Sequence, residues 1–363
     1  MGQIVIAVMA FFLVVGALDK AFFNDRFGFG DAFQQGLNTM GPLTLAMVGI
    51  MCAAPSMGTV LGPLCTPFFE AIGSDPSMIA GIFFGVDAGG LALAKTLAGS
   101  PDAMHLFGIG LSSTLGCILL FPLPFSLSVC KKASQPYIAK GIAAALIASP
   151  FSLFGTALVG GIPFSSVLKL GALAFAVAVA LAAALVFMRQ ATIRVFIILG
   201  QVIMSVYALL LAAAALEKYF GWVLIPGMAP ISPQLAIVGE IGIMLAGAYP
   251  MVHFVKRFLG KMLNVIARLA KVDGNAALGM FVSLANPLPM YTTLVTMSNR
   301  GKVLCSAFAG PAMCAFGDHL GFMEAYYPEG ITMLIAGKLL SAFAALAIAI
   351  GLEKLSPSPE QTA

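Results

Sequence analysis

Apolar runs of roughly twenty residues follow one another along the chain, separated by short connections that hold most of the charged side chains. Residues 171–188 (GALAFAVAVALAAALVFM) and 331–352 are the plainest cases. At 1.5 Å per residue, about 20 apolar residues reach across a hydrocarbon core. The runs predict membrane-crossing helices near residues 3–18, 40–63, 76–98, 104–129, 137–161, 166–188, 194–216, 234–255, 275–297, 303–322 and 331–352. Open sheets are excluded at such depth because each unpaired backbone group costs several kcal/mol in lipid, and the weak alternation of a barrel strand is missing.

Composition sharpens this. A chain of 363 residues that is 60% hydrophobic and 9% charged cannot place its apolar side chains in one soluble core. The expected fold is all-α: a polytopic membrane protein of about 10–12 helices, with broken helices and an internal repeat. The apolar N-terminal run lacks a basic leader and a small-residue cleavage site, so it reads as a retained helix. Residues 256–271 (KRFLGKMLNVIARLAK) predict an interfacial helix, and residues 356–363 a disordered tail. Six cysteines without a CxxC pair argue against a disulfide framework and a zinc site and read as packing residues. No cofactor or metal is expected. A net charge of +4 spread over inter-helix stretches implies contact with lipid headgroups and no nucleic acid.

Lys131, Lys132 and Lys140, then Arg189 and Arg194, then Lys256 to Lys271 fall in alternate connections, which should be cytoplasmic. Arg300 and Lys302 fall on the other side in a one-pass-per-run count, a conflict removed if at least one candidate is re-entrant. The chain also echoes itself at a period of about 195–200 residues. Gly49-Ile50-Met51 and Pro55 recur as Gly242-Ile243-Met244 and Pro250, and Asp75 and Gly81 as Asp273 and Gly279. One transport domain with repeat halves at 1–188 and 194–352 is expected, with the substrate site between them.

At matching places in the halves an apolar run is interrupted by a polar residue beside helix breakers: Asp87 before Gly89 and Gly90, and Asn286 before Pro287 and Pro289. A carboxylate inside a span must be protonated, paired or solvated by a bound cation, and Lys95, two turns on, is the alternative partner for Asp87. Asp318 and His319 suit a cation contact, a proton relay, or a helix end at the interface. Glu240 lies near a predicted helix start, where the helix dipole favours a carboxylate. Tyr249, before Pro250, offers a ring face to an ammonium group and a hydroxyl to a substrate, or serves as an interfacial anchor. No P-loop, HExxH, GxSxG or dinucleotide fingerprint is present, so neither an ATP-driven pump nor an enzyme is expected.

These residues carry a resemblance. LAMVG at 45–49, Asp75-Pro76-Ser77-Met78, Asp87 to Lys95, GWVLIPG at 221–227, GAYPM at 247–251, LANPLPM at 284–290 and GDHLGF at 317–322 resemble the EutH-like ethanolamine permeases of ethanolamine-using bacteria. Two positions depart from that pattern: Pro287 stands where familiar members carry a second Asn, and the family's acid sits one turn before Glu240. The resemblance implies a multi-pass protein of the bacterial inner membrane that takes up ethanolamine, a small ammonium ion carrying a hydroxyl. For such a solute the residues themselves suggest Asp87 as ammonium partner, Asn286 as hydroxyl partner, Asp318 and His319 as supporting or gating groups, and Tyr249 as aromatic wall. A homodimer is left open, as are an amine or ammonia channel and an intramembrane enzyme acting on ethanolamine-bearing lipid headgroups.

Overall fold

The computed structural model describes residues 2–130, 133–258, 267 and 271–355, so the expected interfacial helix, almost entirely, and the C-terminal tail lie outside the described residues. Among those described there is no strand. The helices are α1 (Gly2–Phe22), α2 (Phe29–Asn38), α3 (Gly49–Ala71), α4 (Met78–Phe83), α5 (Leu91–Leu97), α6 (Pro101–Leu120), α7 (Pro122–Val129) and α8 (Gln135–Gly160). They continue with α9 (Phe164–Phe187), α10 (Arg189–Phe220), α11 (Ile231–Phe258), α12 (Gly274–Ser283), α13 (Leu288–Thr293), α14 (Asn299–Ala312), α15 (Asp318–Tyr326) and α16 (Ile331–Leu355). Seven spans among the described residues are long and apolar enough to cross a membrane. The surface fits lipid: Leu158, Phe187 and Leu209 are exposed, as are Val195, Ile198 and Val202 on α10. The protein is a polytopic α-helical membrane protein.

Two stretches expected to cross do not. Asp75, just before α4, accepts hydrogen bonds from the Ser77 N–H (2.9 Å), the Ser77 hydroxyl (2.5 Å) and the Gly99 N–H (3.0 Å), the last residue lying just beyond α5. The segment therefore enters, breaks at Phe84–Gly85 and returns to its starting point. Asp273 does the same for α12 and α13, accepting from the Ala276 N–H (2.9 Å), the Ser298 N–H (2.9 Å) and the Ser298 hydroxyl (2.7 Å). In both cases a serine then caps the next helix, Ser100 for α6 and Ser298 for α14. A hydropathy window integrates composition over about 19 residues and does not separate one full crossing from two half-depth passes.

The two hairpins enter from opposite faces. Gly110 packs on Thr156, and the Thr114 hydroxyl meets the Ser149 carbonyl (3.2 Å) and the Ser152 hydroxyl (3.0 Å), so α6 and α8 are antiparallel. Gly141 packs on Val303 and Ser306 while Gly310 packs on Ala145, so α8 and α14 are parallel. Hence α6 and α14, each leaving the base of its hairpin, run in opposite directions. Small residues make these contacts close: Gly155 abuts Ala336 and Gly337, and Gly337 in turn abuts Ser152 and Thr156, so α8 and α16 meet backbone to backbone. With these directions, Lys140, Arg189, Arg194, Arg300, Lys302 and Lys354 all lie toward one face, and the conflict over Arg300 and Lys302 disappears.

Candidate functional site

Each hairpin tip is irregular for a local reason. In the first, Phe84 and Gly85 are extended, Ala88 is non-helical and Gly89 takes a positive φ of 93°. A Cβ on Gly89 would lie 2.5 Å from Ile50, so both conformation and space require glycine. In the second, the helix ends at Ser283 and restarts at Leu288, after Pro287, which has no N–H to give to the preceding turn. Backbone freed in this way is tolerated where protein or a wet cavity faces it. The Tyr207 hydroxyl of α10 donates to the freed Ala88 carbonyl at 2.8 Å. Each tip also leans on a glycine further along the chain, Gly116 within α6 and Gly317 just before α15. A Cβ on Gly116 would strike the Phe84 carbonyl, and one on Gly317 the Ala285 carbonyl.

The tips meet at a cavity of about 300 Å³. Asp87 and Asn286 both line it, and so do Asp318 and His319 at the start of α15. The His319 Nε2 is 3.6 Å from the Asp87 carboxylate and 3.6 Å from the Cys117 Sγ. One Asp318 carboxylate oxygen and the His319 Nδ1 are buried with no hydrogen-bond partner among the described residues. Unmet buried polar atoms are expensive, and beside a cavity they are suited to a polar solute or water.

The remaining expectations resolve individually. Lys95 does not pair with Asp87; its ammonium lies over the rings of Tyr326 and Tyr327, 4.2 and 4.6 Å from their centroids, because α5 carries it back to the hairpin base. Tyr249 is not a wall of this cavity. Its hydroxyl accepts a hydrogen bond from the Asn286 amide at 2.5 Å, and it lines a second cavity of about 330 Å³ with Gly28, Asp31 and His253. Asn286 lines both cavities and stands between them. Glu240 is an exposed residue nine positions into α11, and lines neither cavity. Trp222 is exposed in the connection after α10.

Two residues with no expected place in the site line the cavity, and a buried lysine lies close behind one of them. Tyr207 lines the cavity, and Tyr249 does not. Cys117 sits beside Asp87 and His319, although its sequence neighbourhood carries no ligand spacing. Lys338, fully buried in α16, donates to the Ser113 carbonyl of α6 at 2.5 Å, one turn before Cys117. A lone cation inside an apolar span was the available signal for Lys338. Nothing in the patterning singles out Cys117 or Tyr207, which are common core residues.

The family described as "Ethanolamine utilisation protein, EutH" matches residues 1–352. A Listeria monocytogenes protein named "Probable ethanolamine permease EutH" is 36% identical over 99% of this chain and 98% of its own length. A Salmonella typhimurium protein of the same name is 34% identical over 96% of this chain and 94% of its own. An uncharacterised Bacillus subtilis protein, YxeR, is 34% identical over 98% of this chain and 96% of its own. No solved structure matches. The functional names among these relatives are those of a permease and not of an enzyme. The chain belongs to the EutH family of ethanolamine utilisation proteins.

Proposed function

We propose that the protein is a permease for ethanolamine in the bacterial inner membrane, and that it holds the ammonium group at Asp87 and the hydroxyl at Asn286. The carrying observation is that two half-depth hairpins from opposite faces put those two residues on one cavity with Asp318 and His319. A carboxylate this deep costs about 2.5–3.5 kcal/mol on insertion scales, and an arriving ammonium offsets that cost. The ring of Tyr207 adds a cation–π surface, worth about 0.5–2 kcal/mol in such settings. The names of the relatives in Listeria and Salmonella support the choice of amine.

The like-built hairpins and their opposite entry support a chain of two inverted halves, in which transport exposes the central site first to one face and then to the other. The basic face is the cytoplasmic one by the positive-inside rule. The second cavity, lined by Gly28 and His253 near helix ends on that face, is then the cytoplasmic vestibule, and Asn286 divides it from the binding cavity. Uptake of labelled ethanolamine into proteoliposomes tests the reading. It predicts saturable uptake, lost in Asp87→Asn and not displaced by excess methylammonium. Unsaturable uptake, or equal displacement by methylammonium, contradicts it in favour of an amine channel.

A further inference from the structure

We propose that Asp87, Cys117 and His319 form a three-ligand site for a divalent transition ion of the zinc class, with its fourth coordination position turned to the cavity. The three come from separate elements: the first hairpin tip, α6 and α15. His319 Nε2 is 3.6 Å from both the Asp87 carboxylate oxygen and the Cys117 Sγ, and all three ligand atoms lie within 4.8 Å of one another. Metal–ligand bonds of about 2.0–2.3 Å in tetrahedral array put neighbouring ligand atoms about 3.3–3.8 Å apart. Two of the three pairs already meet that spacing.

Two further features fit. Cys117 and His319 are 4% and 2% exposed, so the ligand atoms are shielded from water except through the cavity. Gly85 keeps the triad open, since a Cβ there would sit 3.2 Å from both the Asp87 oxygen and the Cys117 Sγ. Thiolate, imidazole and carboxylate together match zinc and its neighbours, whereas the sulfur disfavours magnesium and calcium. Binding releases the Cys117 proton to solvent, since the thiolate is the ligand.

The surroundings also limit affinity. Among the described residues the His319 Nδ1 lacks the hydrogen-bond partner that usually orients a metal-bound imidazole, and Lys338 is buried one turn from Cys117, bonded to the Ser113 carbonyl. The site is therefore reversible, suited to modulation and not to holding the fold. An ion there takes the carboxylate assigned to the ammonium group, so metal and amine compete; this competition rests on the proposed transport reading, whereas metal binding itself does not.

Titration of the purified, reduced protein with Co²⁺ alone tests the site. One equivalent is expected to bind with tetrahedral d–d bands and a thiolate-to-cobalt charge-transfer band, both removed by Zn²⁺. The charge-transfer band is lost in Cys117→Ser and kept in Cys314→Ser, whose thiol lines the cavity outside the triad. Absence of a saturable thiolate band, or its persistence in Cys117→Ser, overturns the proposal. Because that variant is able to fail by misfolding, the wild-type protein supplies a second readout: Zn²⁺ slows alkylation of Cys117 at least tenfold and leaves Cys314 unchanged, as read by peptide mass spectrometry. Equal alkylation of Cys117 with and without Zn²⁺ overturns it. If Zn²⁺ binds in this way and ethanolamine does not weaken it, the metal site stands and the assignment of Asp87 to the amine falls.

Discussion

Asp87 and His319 face one another at 3.6 Å across the junction of the first hairpin tip and α15. Residues 232 positions apart meet there, and Gly85 leaves room beside them, since a Cβ at that position would sit 3.2 Å from the Asp87 oxygen. Removing one member of a buried polar pair generally costs about 2–5 kcal/mol. Asp87→Asn is therefore expected to weaken ethanolamine binding by roughly thirtyfold or more, measured by calorimetry on purified protein that remains monodisperse.

Lys338 is fully buried and held by the Ser113 carbonyl, one turn before the Cys117 that sits beside Asp87. Lys338→Met removes this buried cation, so it is expected to lower thermal stability, whereas Asp87→Asn with Lys338→Met is expected to be less damaging than the sum of the single changes. A coupling of about 1 kcal/mol or more in the double-mutant cycle is the expected result; strict additivity means that the two charges do not act on each other.

The spans were legible because lipid demands long apolar runs, and Asp87, Asn286, Asp318 and His319 stood out as polar residues beside glycine or proline inside such runs. The hairpins were legible only as a conflict over Arg300 and Lys302. Their true sign is the pair of acids at the entries, Asp75 and Asp273, with Gly99 and Ser298 at the exits, and a partner 24 or 25 residues away cannot be told from an ordinary helix cap. Tyr249 and Tyr207 both sit in apolar helices, and only packing decides which of the two lines the cavity between the tips. Lys95 was within helical reach of Asp87 until the chain turned back at the tip.

The carboxylates at the hairpin bases should fix hairpin order. For Asp273, outside the spanning helices, burial pushes its carboxyl up, but hydrogen bonds from Ser298 and Ala276 outweigh this and hold it below the usual carboxylate range. A depressed carboxylate gives stability that is present above its unfolded value and is lost only as pH falls through the lower folded one. The anchor is thus intact at any neutral or mildly acidic assay pH. Asp273→Ala should lose about 1–2 kcal/mol of local protection, read as faster hydrogen exchange over residues 274–298 without change in α8 or α9.

Gly116 lets the first tip pack against α6, and Gly317 lets the second pack against the chain entering α15. Gly317→Ala drives a methyl into the Ala285 carbonyl, which cannot retreat without moving the second tip. The expected result is a loss of thermal stability of about 1–3 kcal/mol equivalent, the usual cost of overpacking. Gly239→Ala, inside α11 with nothing within 4 Å, is the matched control and should leave the melting temperature unchanged or slightly raised.

Tyr249 holds the Asn286 amide from the vestibule side. Tyr249→Phe removes that acceptor, worth about 0.5–1.5 kcal/mol, and should raise the apparent KM for uptake several-fold while leaving the dependence on Asp87 intact. An unchanged KM means that the Asn286–Tyr249 contact does not position the hydroxyl partner.

The central claim is an ammonium group resting on the carboxylate of the first hairpin tip. Rotational-echo double-resonance NMR on membrane-embedded protein carrying ¹³C-labelled aspartate, with ¹⁵N-ethanolamine bound, measures that contact directly. Dephasing between the amine nitrogen and one aspartate carboxyl carbon at hydrogen-bonding range, absent in Asp87→Asn, is the predicted result. Bound ethanolamine without such dephasing, or with dephasing that survives Asp87→Asn, would contradict the account.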